Sequence, residues 1–543
     1  MKRFSTLLSG SWLLVLLAAC SGPPERDPQT IFRYNESAGI GSLDPAFARN
    51  QAHIWAVHQL FNGLVQMDDQ LRVKPAIAQR WEVRDSGHTY RFYLRDDVYF
   101  HADPCFDSLA QRQVTAPDFV YSFDRLTSEA LAAPGAWVFK NVAGYRAVND
   151  TILDIRLKQP FSPFLGLLTM KYCSVVPREA IEKYGSDFRR HPVGTGPFRF
   201  KRWVENELLV FRRNERYFER DVKGNRLPYL EAVAISFVPD KQSAFLGFLK
   251  GELDLLSGLD GSYKDELLTH DGRLRKRYQD RFLVYRQPYL NTEYLGFLVD
   301  SNARATEGSP VLNRKIRQAI NYCFDRERMI RYLRNGIGTP AHGGMIPAGL
   351  PAYDTSRIQG YHYDPQKARR LLREAGYPGG KGLSPIKLVT NSSYRDLCEY
   401  IQAEAQKVGI PLEVEVTPPS TLRQGKATAK LPLFRASWIA DYPDAENYLS
   451  LFYSQNFAPE GPNYTHFSDP TYDSLYRRAR GTLNDSLRRR LYQRMDQRVI
   501  EQAPVVPLYY DQVLRFYPKH VHDLGGNALN LLTLKRVWKS DAG

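Results

Sequence analysis

Residues 434–444 hold the densest group of side chains that could bind a charged ligand. An arginine, an indole, a carboxylate and a phenol fall within eight residues, and Arg435, Trp438 and Asp441 are the first three. If the segment is a strand, Arg435 and Trp438 point to opposite faces, and Asp441 lies at the turn that Pro443 enforces. A carboxylate at a strand end beside an aromatic ring can receive a ligand ammonium. The alternative interpretation is that Trp438 belongs to the core and Asp441 caps the turn.

Motifs for covalent chemistry are lacking in the sequence. It contains no His-Glu-x-x-His, no Gly-x-Ser-x-Gly and no phosphate-binding loop. Gly336-Ile337-Gly338 begins like a dinucleotide fingerprint, but it follows a predicted helix, and Pro340 stands where that motif's own helix would begin. A pocket that binds without reacting needs only apolar walls and a few fixed polar groups. We therefore expect a binding protein without a cofactor, and not an enzyme.

Two small groups of residues could in principle hold a metal ion. His520 and His522 would share one face of a strand, but no third ligand is evident, and exposed histidines are the preferred interpretation. His101, Asp103 and Cys105 lie in one short loop, where an intervening proline favours a simple turn. We expect no metal site at either place.

The first residues indicate export and a lipid anchor. Lys2 and Arg3 precede an apolar stretch, Leu7–Leu17, that is too short to span a membrane and fits a signal peptide over residues 1–19. Two alanines then precede Cys20, as in a bacterial lipobox, where the thiol is lipidated and becomes the new N-terminus. Residues 20–28 would be a tether. The alternative is an ordinary signal in which Cys20 is incidental. We expect an extracytoplasmic protein, anchored to a membrane by Cys20.

Composition describes a large globular protein. A chain of 543 residues is too long for one hydrophobic core, so two or three domains are expected. The net charge of +15 could suggest nucleic acid, but the basic residues are dispersed and interleaved with acidic ones. We interpret the charge as a solvated surface and expect no nucleic-acid partner.

Four cysteines follow Cys20, namely Cys105, Cys173, Cys323 and Cys398. An even number in an oxidising compartment permits two disulfides with three possible pairings. Cys323, and by a similar argument Cys398, falls on the apolar face of a helix, which favours buried free thiols for that pair. The absence of a Cys-x-x-Cys spacing argues against structural zinc and thiol redox chemistry.

The elements that must position these residues alternate between strands and helices. Alternating apolar residues predict strands at 88–100 and 233–237, and a helix through Phe245 that Gly251 ends completes a βαβ unit. Further helix starts are predicted at capping residues, and further strands at apolar runs. The predicted helix starts are Thr115, Asp364, Tyr394, Asp469 and Asn484, and the predicted strands are 386–389 and 505–510. The pattern indicates a large mixed α/β protein of at least two lobes.

Several segments, in order along nearly all of the mature chain, resemble the extracytoplasmic solute-binding proteins of peptide ABC transporters, the oligopeptide/dipeptide/nickel-binding family. Gly194-Thr195-Gly196-Pro197-Phe198 is similar to the family's most distinctive short motif. Leu60-Phe61-Asn62-Gly63-Leu64 resembles its first helix. The other similar segments are 34–45, 75–81, 90–95, 115–122, 251–254 and 440–442.

The resemblance implies an α/β, two-lobed, three-domain fold like that of the periplasmic binding proteins, with mixed sheets. Residues 29–72, 193–285 and 503–543 would form a discontinuous first lobe. Residues 73–192 would be a domain inserted into it, and 286–502 the second lobe. The ligand would be enclosed between lobes that close about a hinge.

The resemblance also implies roles for particular residues. Family members that bind peptides hold the ligand's α-amine with an aspartate, and Asp441 stands at the matching position. Arg435 and Trp438 match neighbouring positions. Arg49 lies where an oligopeptide-binding relative has an acid, which leaves ligand length and charge open. Arg395, near a helix start, is a further candidate for a ligand carboxylate, with a solvated helix-surface arginine as the alternative.

The function implied by the resemblance is that of a monomeric ligand-binding subunit of an ABC importer. It would capture small peptides outside the cytoplasm and deliver them to the permease subunits of the transporter. Nickel chelates, sugars and haem are alternative ligands of the same scaffold. An exported peptide receptor or chaperone is an alternative use of it.

Overall fold

The computed structural model of the protein describes residues 30–107 and 112–541. The predicted signal peptide, Cys20 and the tether lie outside the described residues. None of the described helices is both long enough and apolar enough to cross a membrane.

Strands and helices alternate along most of the chain. The strands are β1 Ile31–Asn35, β2 Val65–Met67, β3 Val73–Pro75, β4 Ala78–Arg84, β5 Thr89–Leu94, β6 Val142–Asn149, β7 Ile152–Leu157, β8 Phe198–Val204, β9 Leu208–Arg213, β10 Ala232–Ser236, β11 Leu256–Ser257, β12 Phe282–Phe297, β13 Thr339–Pro340, β14 Ile386–Thr390, β15 Leu412–Val416, β16 Leu433–Ile439, β17 Val505–Pro518, β18 Val521–His522 and β19 Trp538–Lys539. The α-helices are α1 Gln51–Leu60, α2 Ala116–Thr127, α3 Phe164–Leu167, α4 Arg178–Tyr184, α5 Lys241–Lys250, α6 Lys264–Leu267, α7 Lys276–Gln279, α8 Arg314–Tyr322, α9 Arg326–Leu333, α10 Pro365–Glu374, α11 Arg395–Gln406, α12 Pro419–Ala427, α13 Glu446–Leu449, α14 Pro470–Arg480 and α15 Asp485–Gln502.

Polar caps fix the helix starts that the sequence predicts. Thr115 and Asp118 form a capping box at the start of α2. The side chains of Asp364, Asp469 and Asn484 each accept a backbone N–H from the first turn of α10, α14 and α15. These predicted starts are confirmed.

Two of the three larger sheets contain both parallel and antiparallel neighbours, and the β4-β5-β7-β6 sheet is antiparallel throughout. One four-stranded sheet has the order β1-β10-β9-β8, and a second has β4-β5-β7-β6. A seven-stranded sheet has the order β11-β17-β12-β16-β14-β15, with β13 on β17. The predicted βαβ unit is present, because α5 follows β10 and ends at Gly251 (φ +82°), after which Leu255 bridges β1 in parallel.

Two long strands join the two lobes. Phe282–Pro288 of β12 pairs with Gln512–Pro518 of β17, whereas Thr292–Gly296 pairs with Val505–Tyr510. The register shifts between Pro288 and Thr292. The two halves of this strand pair contribute to different hydrophobic cores, so one sheet spans two cores.

The buried apolar residues divide accordingly. One continuous core takes residues 32–255 of the two four-stranded sheets together with Val521–Val537, and this part is called the first lobe. Two further cores take residues 290–509, around β12–β17 and the helices between them, and this part is called the second lobe. The predicted two-lobed α/β fold is confirmed.

The segments 60–64 and 194–198 pack on each other. The prediction that residues 61–64 are helical is wrong. Leu60 is the last residue of α1, so residues 61–64 are not helical. Gly196 N–H donates to the Leu60 carbonyl at 2.8 Å, and a Cβ on Gly194 would lie 2.1 Å from the same oxygen. Because only glycine permits this approach, the glycines of the 194–198 motif hold the end of α1.

The structure also shortens one predicted strand and shows the state of the cysteines. The strand predicted over 88–100 is limited to Thr89–Leu94. All four described cysteines are free: Cys173, Cys323 and Cys398 are buried, and Cys105 is half-buried.

Candidate ligand-binding site

A cavity of about 410 Å³ lies where the two lobes meet. It is lined from the first lobe by the segments 48–55, 169–172 and 529–531, and from the second by Tyr289 and 439–441. Most of its wall is apolar. The apolar lining side chains are Ala48, Ile54, Trp55, Met67, Met170, Ile439, Ala440, Leu529 and Leu531. Apolar walls with a few fixed polar groups are typical of a site that binds a small molecule.

The turn after β16 places Asp441 at this cavity. Asn447 organises the turn, because its side-chain oxygen accepts hydrogen bonds from the Trp438 indole at 2.7 Å and from the Asp441 backbone N–H at 3.3 Å. The Ala440 N–H donates to the Leu290 carbonyl at 2.9 Å, which ties the turn to β12. Asp441 therefore stands on a rigid support.

The Asp441 carboxylate opens onto the cavity and has no ion-pair partner among the described residues. Its pKa is raised because the surrounding protein removes it from bulk water, and a hydrogen bond with the Asn447 side chain opposes that rise. Asp441 keeps part of its surface accessible, so a cation that enters the cavity can reach the carboxylate and pair with it.

Two cationic side chains and a phenol lie on the first-lobe wall. Arg49 immediately precedes Asn50, whose side chain caps α1 by accepting the His53 N–H at 3.0 Å. Lys171 and Tyr172 follow α3 in a short 3₁₀ turn. Burial, and next the Asp441 carboxylate, raises the pKa of Tyr172 to about 12, whereas Arg49 acts in the opposite sense. The cavity thus presents charges of both signs.

Arg435 and Trp438 are engaged within the second lobe. The Arg435 guanidinium forms an ion pair with Glu293, and these side chains are only 9% and 3% exposed. It also lies 3.1 Å from the centre of the Tyr394 ring. Trp438 is half-buried against the second-lobe core. Neither side chain lines the cavity, although both belong to the strand that carries Asp441.

Arg395 is the first residue of α11 and is exposed, and it does not line the cavity. Of the residues predicted from the sequence, the structure thus brings Asp441 and Arg49 to one cavity, and leaves Arg435, Trp438 and Arg395 outside its lining.

The residues considered for metal binding do not converge. In the described ranges, no three His, Cys, Asp or Glu side chains are grouped so that they could hold a metal ion. The Cys105 N–H donates to the Asp103 side chain at 2.8 Å, which forms the predicted turn. The prediction that His520 and His522 are exposed is wrong, because both are half-buried. His522 stacks on Trp538 with 4.0 Å between ring centres, and His520 lies 3.8 Å from Asp254.

Gly336-Ile337-Gly338 forms a loop after α9, as the sequence predicts. Both glycines have positive φ angles, +68° and +114°, which suits a tight loop.

The chain is similar to known solute-binding proteins over most of its length. The profile of the bacterial extracellular solute-binding proteins, family 5 (middle), matches residues 72–459. The glutathione-binding protein GsiB of Shigella flexneri serotype 5b is 26% identical over 486 residues, covering 88% of this chain and 89% of that protein. This chain therefore belongs to family 5 of the bacterial extracellular solute-binding proteins.

Solved structures share the fold. DppA from Helicobacter pylori, in complex with the peptide STSA, superposes with a TM-score of 0.73 at 22% identity, covering 94% of this chain and 98% of that one. HbpA2 from Haemophilus parasuis gives a TM-score of 0.80 at 23% identity, covering 94% and 100%. The protein is the substrate-binding component of an ABC importer, and it acts outside the cytoplasm.

Several lining residues could not be found from the sequence. Lys171, Tyr289 and Leu529–Leu531 are separated by more than a hundred residues each and belong to no motif. Only the packing of the two lobes brings them together.

Proposed function

We propose that the protein captures short peptides between its lobes and delivers them to a membrane permease, with the ligand's α-ammonium on Asp441. The observation that carries this proposal is a carboxylate, without an ion-pair partner among the described residues, in an otherwise mainly apolar cavity. A peptide ammonium would supply the missing charge, and the apolar wall would accept side chains.

Relatives support a peptide ligand. GsiB is named for glutathione, a tripeptide, and DppA was solved with the peptide STSA. We include Arg49 in the proposed site because it lines the same cavity, and assign Arg435 and Trp438 to the support of the β16 strand. The proposed action is binding alone, as a monomer and without catalysis.

Isothermal titration calorimetry with purified, ligand-free protein tests the proposal. The panel contains di-, tri- and tetrapeptides and glutathione, with maltose and a nickel–histidine complex as ligands of other classes. We expect saturable 1:1 binding of at least one peptide and none of maltose. Binding of the sugar or the nickel complex, with no peptide bound, would contradict the proposal.

We further propose that Cys20 carries a lipid that anchors the protein at a membrane. The support is the run of small residues before Cys20 at the end of the predicted signal peptide. In cell fractionation, Cys20→Ala should move the protein from the membrane fraction to the soluble fraction, or leave an unprocessed precursor, while Cys105→Ala should change neither. Mature Cys20→Ala protein that stays with the membrane would contradict the anchor.

A further inference from the structure

The charges that line the cavity do not balance. Arg49 and Lys171 contribute two positive charges, and Asp441 contributes one negative charge. A peptide with neutral side chains brings one ammonium and one carboxylate. Such a ligand would satisfy Asp441 and one of the cations, and would leave the other cation without a partner.

Lys171 is the cation whose position in the protein most requires a partner. Its ammonium donates no hydrogen bond and forms no ion pair with any of the described residues, and its side chain is half-buried. Burial, and next the positive charge of Lys535, lowers the pKa of Lys171 to about 8. A desolvated ammonium without a counter-ion is costly, so this site gains from an incoming anion.

The titratable groups around Lys171 cannot serve as its counter-ion. His58 of α1 is buried, and its pKa is lowered well below the usual value by burial and by Lys171 and Lys535. Lys535, from the C-terminal segment, is itself cationic and is already paired with Glu219 at 2.6 Å. The Cys173 thiol is kept protonated, because burial raises its pKa to about 12. Lys171 lines the ligand cavity and also a small neighbouring cavity, which His58 and Lys535 line and which has no acidic residue among the described residues of its lining.

A second half-buried lysine, Lys426, has partners within the protein. Burial also lowers the pKa of Lys426 to about 8. The Lys426 ammonium, however, lies 4.7 Å from the centre of the Tyr464 ring, and Glu293 is close enough to stabilise its charge. Among the described residues, the Lys171 ammonium has neither an aromatic ring nor a carboxylate as a partner, which distinguishes it from Lys426.

We infer that Lys171 forms an anion-binding subsite, and that the protein selects short acidic peptides, which carry one ammonium and two carboxylates. In this arrangement Asp441 takes the ammonium, Arg49 one carboxylate and Lys171 the other. The inference rests on the proposed peptide-binding function and adds a preference for acidic ligands. Charge balance between the cavity and the ligand is its basis.

The test compares matched peptides that differ only in one carboxylate. Glu-Ala-Ala, Ala-Glu-Ala and Ala-Ala-Glu are each titrated calorimetrically against the corresponding Gln peptide. For at least one pair, we expect the Glu peptide to bind about 10- to 100-fold more tightly, as for a hydrogen bond to a charged group. In Lys171→Met the ratio for that pair should fall to about one, and Lys171→Arg should restore it.

Thermal unfolding checks that Lys171→Met is folded. Lys171→Gln is a second variant that removes the same charge. Lys183→Met, which removes a lysine charge at the surface, is the matched control. If wild-type protein binds Glu and Gln peptides equally, the acidic preference is overturned while peptide binding stands, and this result needs no variant. If the ratio survives in Lys171→Met and Lys171→Gln but is lost in Arg49→Met, the assignment to Lys171 is overturned. If no peptide binds, the proposed function and this inference both fall.

Discussion

At the scale of single residues, the two charged side chains of the β16 segment differ in their surroundings. Arg435 is enclosed between Glu293 and the Tyr394 ring, so its charge is compensated inside the second lobe. Asp441, six residues later, faces the cavity without such a partner. A ligand therefore has much more to gain from Asp441 than from Arg435.

Replacing Arg435 should lower stability and not act directly on the ligand. Arg435→Met leaves the Glu293 carboxylate buried and unpaired, so we expect the free energy of unfolding to fall by about 3–5 kcal/mol. Urea denaturation measures this change. In Arg435→Met/Glu293→Leu the loss should be smaller than in the single variant, because no buried charge is left over. Full stability with a loss of peptide affinity would show that Arg435 contacts the ligand.

How far single residues can be predicted from the sequence depends on local context. Asp441 stands next to an aromatic strand and a proline turn, so its place at a strand end is readable from its neighbours. Lys171 lies in a segment of ordinary composition, and the features that matter, its burial and its missing counter-ion, arise only when distant segments pack. Arg435 is a charged residue in the same segment as Asp441, so its neighbours in sequence do not distinguish the two. Glu293, which neutralises Arg435, is 142 residues away in sequence.

At the scale of elements, the lobes also touch away from the lining of the cavity. The Ser162 hydroxyl, after β7, donates to the Thr482 carbonyl at 2.7 Å, and the Arg480 guanidinium lies 5.1 Å from the centre of the Phe161 ring. Tyr442, next to Asp441, is buried in the first-lobe core. The turn that positions Asp441 is thus part of the surface that holds the lobes together.

This contact should slow ligand release. Ser162→Ala removes one hydrogen bond across the lobes, worth about 1 kcal/mol, so we expect a peptide to dissociate up to about fivefold faster. Stopped-flow displacement measures the rate. Ser301→Ala is the control, because Ser301 lies at an exposed turn and its hydroxyl has no hydrogen-bond partner among the described residues. Equal dissociation rates for the two variants would mean that the Ser162 contact does not stabilise the closed form.

An element can be predicted from the sequence when the residues that fix its ends are close to it in the chain. The starts of α10, α14 and α15 are set by capping residues within one turn, so the sequence is sufficient. The end of α1 depends on Gly194 and Gly196, more than 130 residues downstream, and for that reason the segment after Leu60 was wrongly expected to be helical.

At the scale of the whole molecule, β12 and β17 run from one hydrophobic core to another. The register shift between Pro288 and Thr292 occurs beside Tyr289, a cavity residue. An irregular pairing bends a strand locally, so we expect the predicted hinge to act at this point. The two-lobed architecture was predictable because several motifs occur in the family's order, whereas the domain boundaries proposed from the resemblance stay predictions.

The central claim is that Asp441 receives the ammonium of a peptide enclosed between the lobes. A calorimetric double-mutant cycle tests it by combining Asp441→Asn with N-acetylation of the peptide. Asp150→Asn, on an exposed turn, is the control variant. Each change removes one charge of the same pair, at a cost of about 3–5 kcal/mol, or about two to three and a half decades in affinity.

The account predicts that both changes together weaken binding little more than either one alone, because they break a single interaction. Additive losses, or unchanged affinity in Asp441→Asn, would contradict it.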